Sequence, residues 1–136
     1  MYDILLFLTK SLVLKITELT RLEKDNDEAY YAVLSTLATM GAGEFSDEDY
    51  KNQIKISLQA YHKIIKDIHY AQIERYGNIS LTDVSFSTEE GKAILVSGSD
   101  LNKLEKILDA TKDTGINVYT HGIEMLMAHS FDKFKS

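Results

Sequence analysis

Residues 90 to 129 read E-G-K-A-I-L-V-S-G-S-D-L-N-K-L-E-K-I-L-D-A-T-K-D-T-G-I-N-V-Y-T-H-G-I-E-M-L-M-A-H, and this stretch narrows the possible folds more than any other. Lys92 to Ser97 holds a short apolar run closed by Gly98, which predicts a strand buried on both faces. Ser99 or Asp100 can cap a following helix whose apolar face is Leu101, Leu104, Ile107 and Leu108. Gly115 breaks that helix, and Ile116 to Tyr119 predicts a second strand. Strand, amphipathic helix and strand make a βαβ unit, which is parallel and almost always right-handed. Its site belongs beyond the carboxyl ends of the strands. Those ends are Ser97-Gly98-Ser99-Asp100 and Thr120-His121-Gly122-Ile123-Glu124.

The chain ahead of this unit reads as three helices. Ile4, Leu5, Leu8, Leu12, Ile16, Leu19 and Leu22 recur at helical spacing, with Lys10, Lys15, Glu18 and Arg21 between them. Asp25 or Asn26 can cap a second helix with apolar positions Ala29, Tyr30, Val33, Leu34, Leu37 and Met40, stopped by Gly41-Ala42-Gly43. That Gly-x-Gly follows no strand, so it is a helix stop and not a nucleotide loop. Ser46 to Asp49 approximates a capping box for a third helix showing Tyr50, Ile54, Leu58, Tyr61, Ile65 and Ile68. Short connections imply an up-down-up bundle. His62 and His69 lie seven residues apart, too far for a helical metal pair, and read as partly exposed packing residues. Residues 78 to 90 form a connector lying across the bundle or the sheet, and Glu124 to Phe134 predicts a last helix with Met125, Met127, Ala128, Phe131 and Phe134.

Composition excludes several functions. The net charge of −6 disfavours binding to nucleic-acid phosphates, which needs a basic face. No apolar run is long enough to span a bilayer, and the short run Ile4 to Leu8 follows Asp3 without a cleavage site, so a cytoplasmic location is expected. The chain has no cysteine, which removes thiolate nucleophiles, disulfides and cysteine-ligated iron–sulfur clusters.

The motifs G-K-A-I-L-V-S-G-S-D-L and T-G-I-N-V-Y-T-H-G-I-E-M-L-M-A-H resemble the hybrid cluster proteins (prismane proteins, hydroxylamine reductases), distant relatives of nickel carbon monoxide dehydrogenase. The opening Y-D-I-L-L-F-L-T-K-S-L, the segment Leu34 to Phe45 and A-Q-I-E-R-Y-G at Ala71 to Gly77 carry the same likeness. The resemblance implies that the whole chain corresponds to one internal stretch of such a protein. The family's cubane iron–sulfur cluster and the cysteines of its iron–sulfur–oxygen hybrid cluster lie outside that stretch. Within it, the family supplies a histidine ligand just after S-G, where Ser99 stands here, and a glutamate directly after T-H-G. Glu124 matches that glutamate if Ile123 is an insertion. Asp100, Leu101, Thr120, His121, Gly122, Met125, Ala128 and His129 keep the family pattern.

The expected fold is mostly helical α/β: a three-helix bundle over residues 1–77, a connector over 78–90 and a partial Rossmann-like βαβα unit over 91–136. A serine hydroxyl is a poor iron ligand, so no cofactor is expected in this chain and no catalytic residue is assigned. The low-ranking metal candidate is Glu124 with His121; its plainer alternative has Glu124 complementing a helix N-terminus and His121 bonded in the turn. The functional expectation is a degenerate or truncated relative that binds a protein partner or a second copy of itself. The alternative is a reductase piece whose cluster site is completed by other segments or chains.

Overall fold

The computed structural model describes residues 1–43 and 46–135. The end of the turn predicted near Glu44 and Phe45, and Ser136, lie outside the described residues. The architecture is mostly helical, with one two-stranded parallel sheet, as the sequence leads one to expect. Two compact units, Met1–Gln72 and Ile73–Ser136, are described in turn.

In the first unit, α1 (Tyr2–Arg21) and α2 (Asp27–Gly41) are followed by α3 (Asp47–Tyr76), whose final turn belongs to the second unit. Local chemistry sets the helix starts. Asn26 Oδ1 accepts from the Ala29 N–H at 2.8 Å, and its amide donates to Asp67. Ser46 and Asp49 close the capping box: the Asp49 N–H donates to Ser46 Oγ at 3.2 Å, and Asp49 Oδ2 accepts from the Ser46 N–H at 3.0 Å. The hydrogen bonds from Ser46 hold the Asp49 carboxyl below its ordinary value.

The predicted faces of α2 and α3 need correction. On α2 the buried residues are Ala29, Ala32 and Thr36, while Tyr30, Leu34 and Leu37 are exposed. On α3, as far as Gln72, they are Gln53, Ser57, Ala60, Ile64, Ile68 and Ala71, while Leu58 and Ile65 are exposed. A polar seam explains the choice. Gln53 Nε2 donates to Ser35 Oγ and to Thr36 Oγ1, both at 2.8 Å. Thr36 gives its one hydroxyl hydrogen to the Ala32 carbonyl at 2.7 Å, so Ser57 is the donor in its 3.1 Å contact with Thr36. Both lone pairs of Thr36 Oγ1 are thereby filled. Lys63 pairs with Glu28 at 2.8 Å and Asp67 with Asn26, so partners fall along α2 as they rise along α3, and the two helices are antiparallel.

In the second unit, β1 (Lys92–Ser97) and β2 (Ile116–His121) pair in parallel, in register from Lys92 with Ile116 to Ser97 with His121. The crossover helix α4 (Leu101–Thr111) is capped by Asp100, whose Oδ1 accepts from the Lys103 N–H at 3.1 Å. It buries Leu104 and packs on β2, as does the short α5 (Ile123–Ala128). β1 is not buried on both faces: only Val96 is buried, and Leu95 is 70% exposed. Two strands with both helices packed on β2 leave β1 little cover.

The predicted last helix ends early. α5 stops at Ala128 with His129 as its C-cap. The Ser130 hydroxyl donates to the Met127 carbonyl at 2.6 Å, a local bond that competes with continued helix. Phe131 is extended and bridges antiparallel to Ile79, and a 3-10 turn follows over Asp132–Phe134. This folds Phe131 and Phe134 onto Tyr76, with ring centroids 5.7 and 5.2 Å away. The connector is tied to the same unit by Ser80 N–H to Ser130 O at 2.9 Å, and by Glu89 N–H to the Tyr119 hydroxyl at 2.7 Å. No described helix is long and apolar enough to cross a membrane.

Candidate functional site

Both strand ends turn on glycines in conformations that other residues rarely adopt: Gly98 has φ +132° and Gly122 φ +101°. Each turns the chain from a strand directly toward a helix, so the polar residues of both ends gather at one edge of the sheet. Register sets Ser97 opposite His121, and their Oγ and Nδ1 atoms lie 3.5 Å apart, a weak contact. Ser99 and Glu124 follow these strand ends, and both are exposed, as is His121.

Ile123 is the first residue of α5, where the Leu126 N–H donates to the Gly122 carbonyl at 2.9 Å. Glu124 therefore sits one helical step beyond the position directly after T-H-G, about 100° around the axis. It occupies the first turn of α5, where a carboxylate complements the helix dipole. Among the described residues, no group of three or more His, Cys, Asp or Glu side chains gathers where it could hold a metal ion.

Sequence reasoning gave no role to the best-formed side-chain pair at this edge. Thr120 Oγ1 and His129 Nε2 lie 2.9 Å apart, joining the end of β2 to the C-cap of α5. Thr120 and His129 line a cavity of about 440 Å³ between the connector and β2, whose wall includes Phe86, Tyr119 and Leu126. They also line a smaller one of about 190 Å³ against Leu104, Leu108 and Phe134. The available signal was spacing: a six-residue helix after Gly122 brings residue 129 back toward the strand it left.

On α4 itself, Glu105 anchors the unit. Its carboxylate accepts from Arg75 Nε at 3.1 Å and from Lys133. Burial pushes this carboxyl upward, but the hydrogen bonds from Lys133 and Arg75 outweigh it and hold the group below its ordinary value.

Comparison with known proteins gives a consistent result. The family described as Prismane/CO dehydrogenase matches residues 7–136. A hydroxylamine reductase of Kosmotoga olearia is 40% identical over 114 residues, covering 84% of this chain and 20% of that protein. One from Acetivibrio thermocellus is 37% identical over 112 residues, covering 82% and 20%. One from Acidiphilium cryptum reaches 54% identity over 70 residues, 52% of this chain and 12% of that protein. The chain thus spans about a fifth or less of the length of these curated relatives.

Proposed function

Because the chain belongs to the prismane/CO dehydrogenase family, we propose that it is a non-catalytic relative of the hydroxylamine reductases that acts by binding a protein partner. The donor set at the strand ends carries this reading. Where the family resemblance implies a histidine ligand, Ser99 offers an exposed hydroxyl, and Glu124 offers one exposed carboxylate out of the family register. The chain contributes no thiolate. Iron–sulfur clusters are held chiefly by thiolates, so these residues by themselves do not fit the hybrid cluster.

The binding surface in this reading is the sheet. Among the described residues β1 and β2 pair only with each other, and Ile94 and Leu95 of β1 are exposed. An open strand edge presents unpaired backbone groups that invite another strand. A second reading, a reductase site completed by other segments or chains, draws on the small share of the relatives' length that this chain spans.

The optical spectrum of protein produced anaerobically with iron and sulfide separates the two. Neither this chain nor its Ser99→His variant is expected to show charge-transfer absorption, since the substitution supplies no thiolate. A brown product with stoichiometric iron would overturn the non-catalytic reading. Sedimentation at micromolar concentration, with hydrogen exchange along residues 93–96 and 116–119, tests the sheet. Association that slows exchange at the strand edges is expected; a clean monomer with both strands already protected would remove the case for sheet docking.

A further inference from the structure

Residues 80–89 of the connector form a strap without helix or strand, and hydrogen bonds pin both of its ends. At one end the Ser80 N–H donates to the Ser130 carbonyl at 2.9 Å. At the other the Glu89 N–H donates to the Tyr119 hydroxyl at 2.7 Å. A 2.6 Å hydrogen bond between the Ser85 and Ser87 hydroxyls braces the strap between these anchors. The strap is thus held beside β2 without packing down on it, and the cavity of about 440 Å³ lies between the two. Protein interiors leave few voids larger than a water molecule, whereas small-molecule sites run from about 300 to 1,000 Å³.

The lining sets the chemistry. Val84, Val118 and Leu126 give apolar wall, and the rings of Phe86 and Tyr119 border the space, with Phe86 89% exposed at its mouth. Asp83 and Glu89, both exposed on the strap, add two carboxylates to the lining. Among the described residues neither carboxylate is held in an ion pair. Lys135 is the one lysine of the lining, and its ammonium is taken by Asp132 Oδ1 at 2.8 Å and by Ser80 Oγ. The lining therefore presents apolar and aromatic surface beneath an acidic rim, in a chain whose net charge of −6 also favours cations.

We propose that this cavity binds an organic ammonium ion with an aromatic body. The apolar wall covers the body, the faces of Phe86 and Tyr119 attract the cation, and Asp83 and Glu89 pair with it. An anion of the same shape meets two carboxylates at the mouth and is repelled. The site lies away from the Ser97 and His121 strand ends and does not depend on the protein-binding reading.

The test measures binding to the whole chain at pH 7 with three probes that share an indole body. Tryptamine carries an ammonium group at that pH, tryptophol a neutral hydroxyl and indole-3-acetate a carboxylate. Calorimetry gives the affinities, and the amide resonances of Thr120 and His129, both in the lining, report the place. Tryptamine is expected to bind saturably, roughly tenfold more tightly than indole-3-acetate, with tryptophol between them, and to shift both resonances. Asp83→Asn combined with Glu89→Gln alters only exposed side chains, so circular dichroism should be unchanged while most of tryptamine's advantage is lost. Leu126→Trp, which fills the wall from a position 44% exposed, should weaken all three probes. The proposal is overturned by tryptamine that does not saturate at millimolar concentration, or by indole-3-acetate that binds as tightly. It is equally overturned by an advantage that the double variant keeps, by binding that Leu126→Trp leaves unchanged, or by shifts confined to residues outside the cavity.

Discussion

Helices α2 and α4 both open on a side-chain cap, Asn26 in one and Asp100 in the other, yet they bury opposite kinds of residue. α4 has one apolar stripe, and it is the stripe that packs: Leu104 is 2% exposed. α2 turns outward the large side chains Tyr31, Leu34 and Leu37 and buries Ala29, Ala32 and Thr36. The difference teaches that an apolar stripe predicts the buried face only where a helix has a single one. Where there are two candidate faces, close fit and polar satisfaction against the neighbouring helix decide. In α2 that neighbour is α3, whose Gln53 and Ser57 meet Thr36 through hydrogen bonds a leucine could not make.

The sharpest way to break this comparison is to truncate residues on both kinds of face. Leu104→Ala and Ile64→Ala remove side chains at 2% and 0% exposure, and each should cost about 2–5 kcal/mol. Leu34→Ala, on the outer face of α2, should stay within about 0.5 kcal/mol. Urea denaturation reads all three; a Leu34→Ala cost equal to that of Ile64→Ala would mean the faces are assigned the wrong way round.

A smaller effect is expected from the polar seam. Gln53→Leu keeps the bulk but leaves Ser35 and Thr36 without their amide donor, and should lose about 1–3 kcal/mol. If the leucine stabilised the protein instead, the seam would be a tolerated feature and not the reason α2 buries its small face.

The smallest expected effect is a pH dependence confined to the second unit. Glu105 has a folded-state pKa held below its unfolded one, so its contribution is present above the unfolded carboxylate range and is lost as pH falls through the folded value. Urea midpoints followed by circular dichroism in the variant Glu105→Gln should fall less between pH 5 and pH 3, about the ordinary glutamate range, than in the unchanged protein. An identical acid limb in both would show that the bonds to Arg75 and Lys133 contribute nothing.

What the sequence determined by itself is what depends on near neighbours along the chain. Asn26, Ser46 with Asp49, and Asp100 each satisfy backbone N–H groups within three residues, so the helix starts were legible from composition and spacing alone. Gly98 marked the end of the first strand, whose turn needs a backbone angle that disfavours a side chain, and the parallel pairing followed from the crossover helix between the strands. The long specific motifs also carried the family membership. Tertiary structure alone decided which face of α2 and α3 turned inward, because that choice rests on hydrogen bonds between residues 17 to 21 positions apart. It decided as well that the chain after Ala128 leaves the helix, because Phe131 and Phe134 gain more by packing on Tyr76, more than fifty residues earlier, than by continuing it. The Thr120–His129 pair belongs to the same class: its two residues are legible in the sequence, but only the return of a six-residue helix toward its own strand brings them within bonding distance.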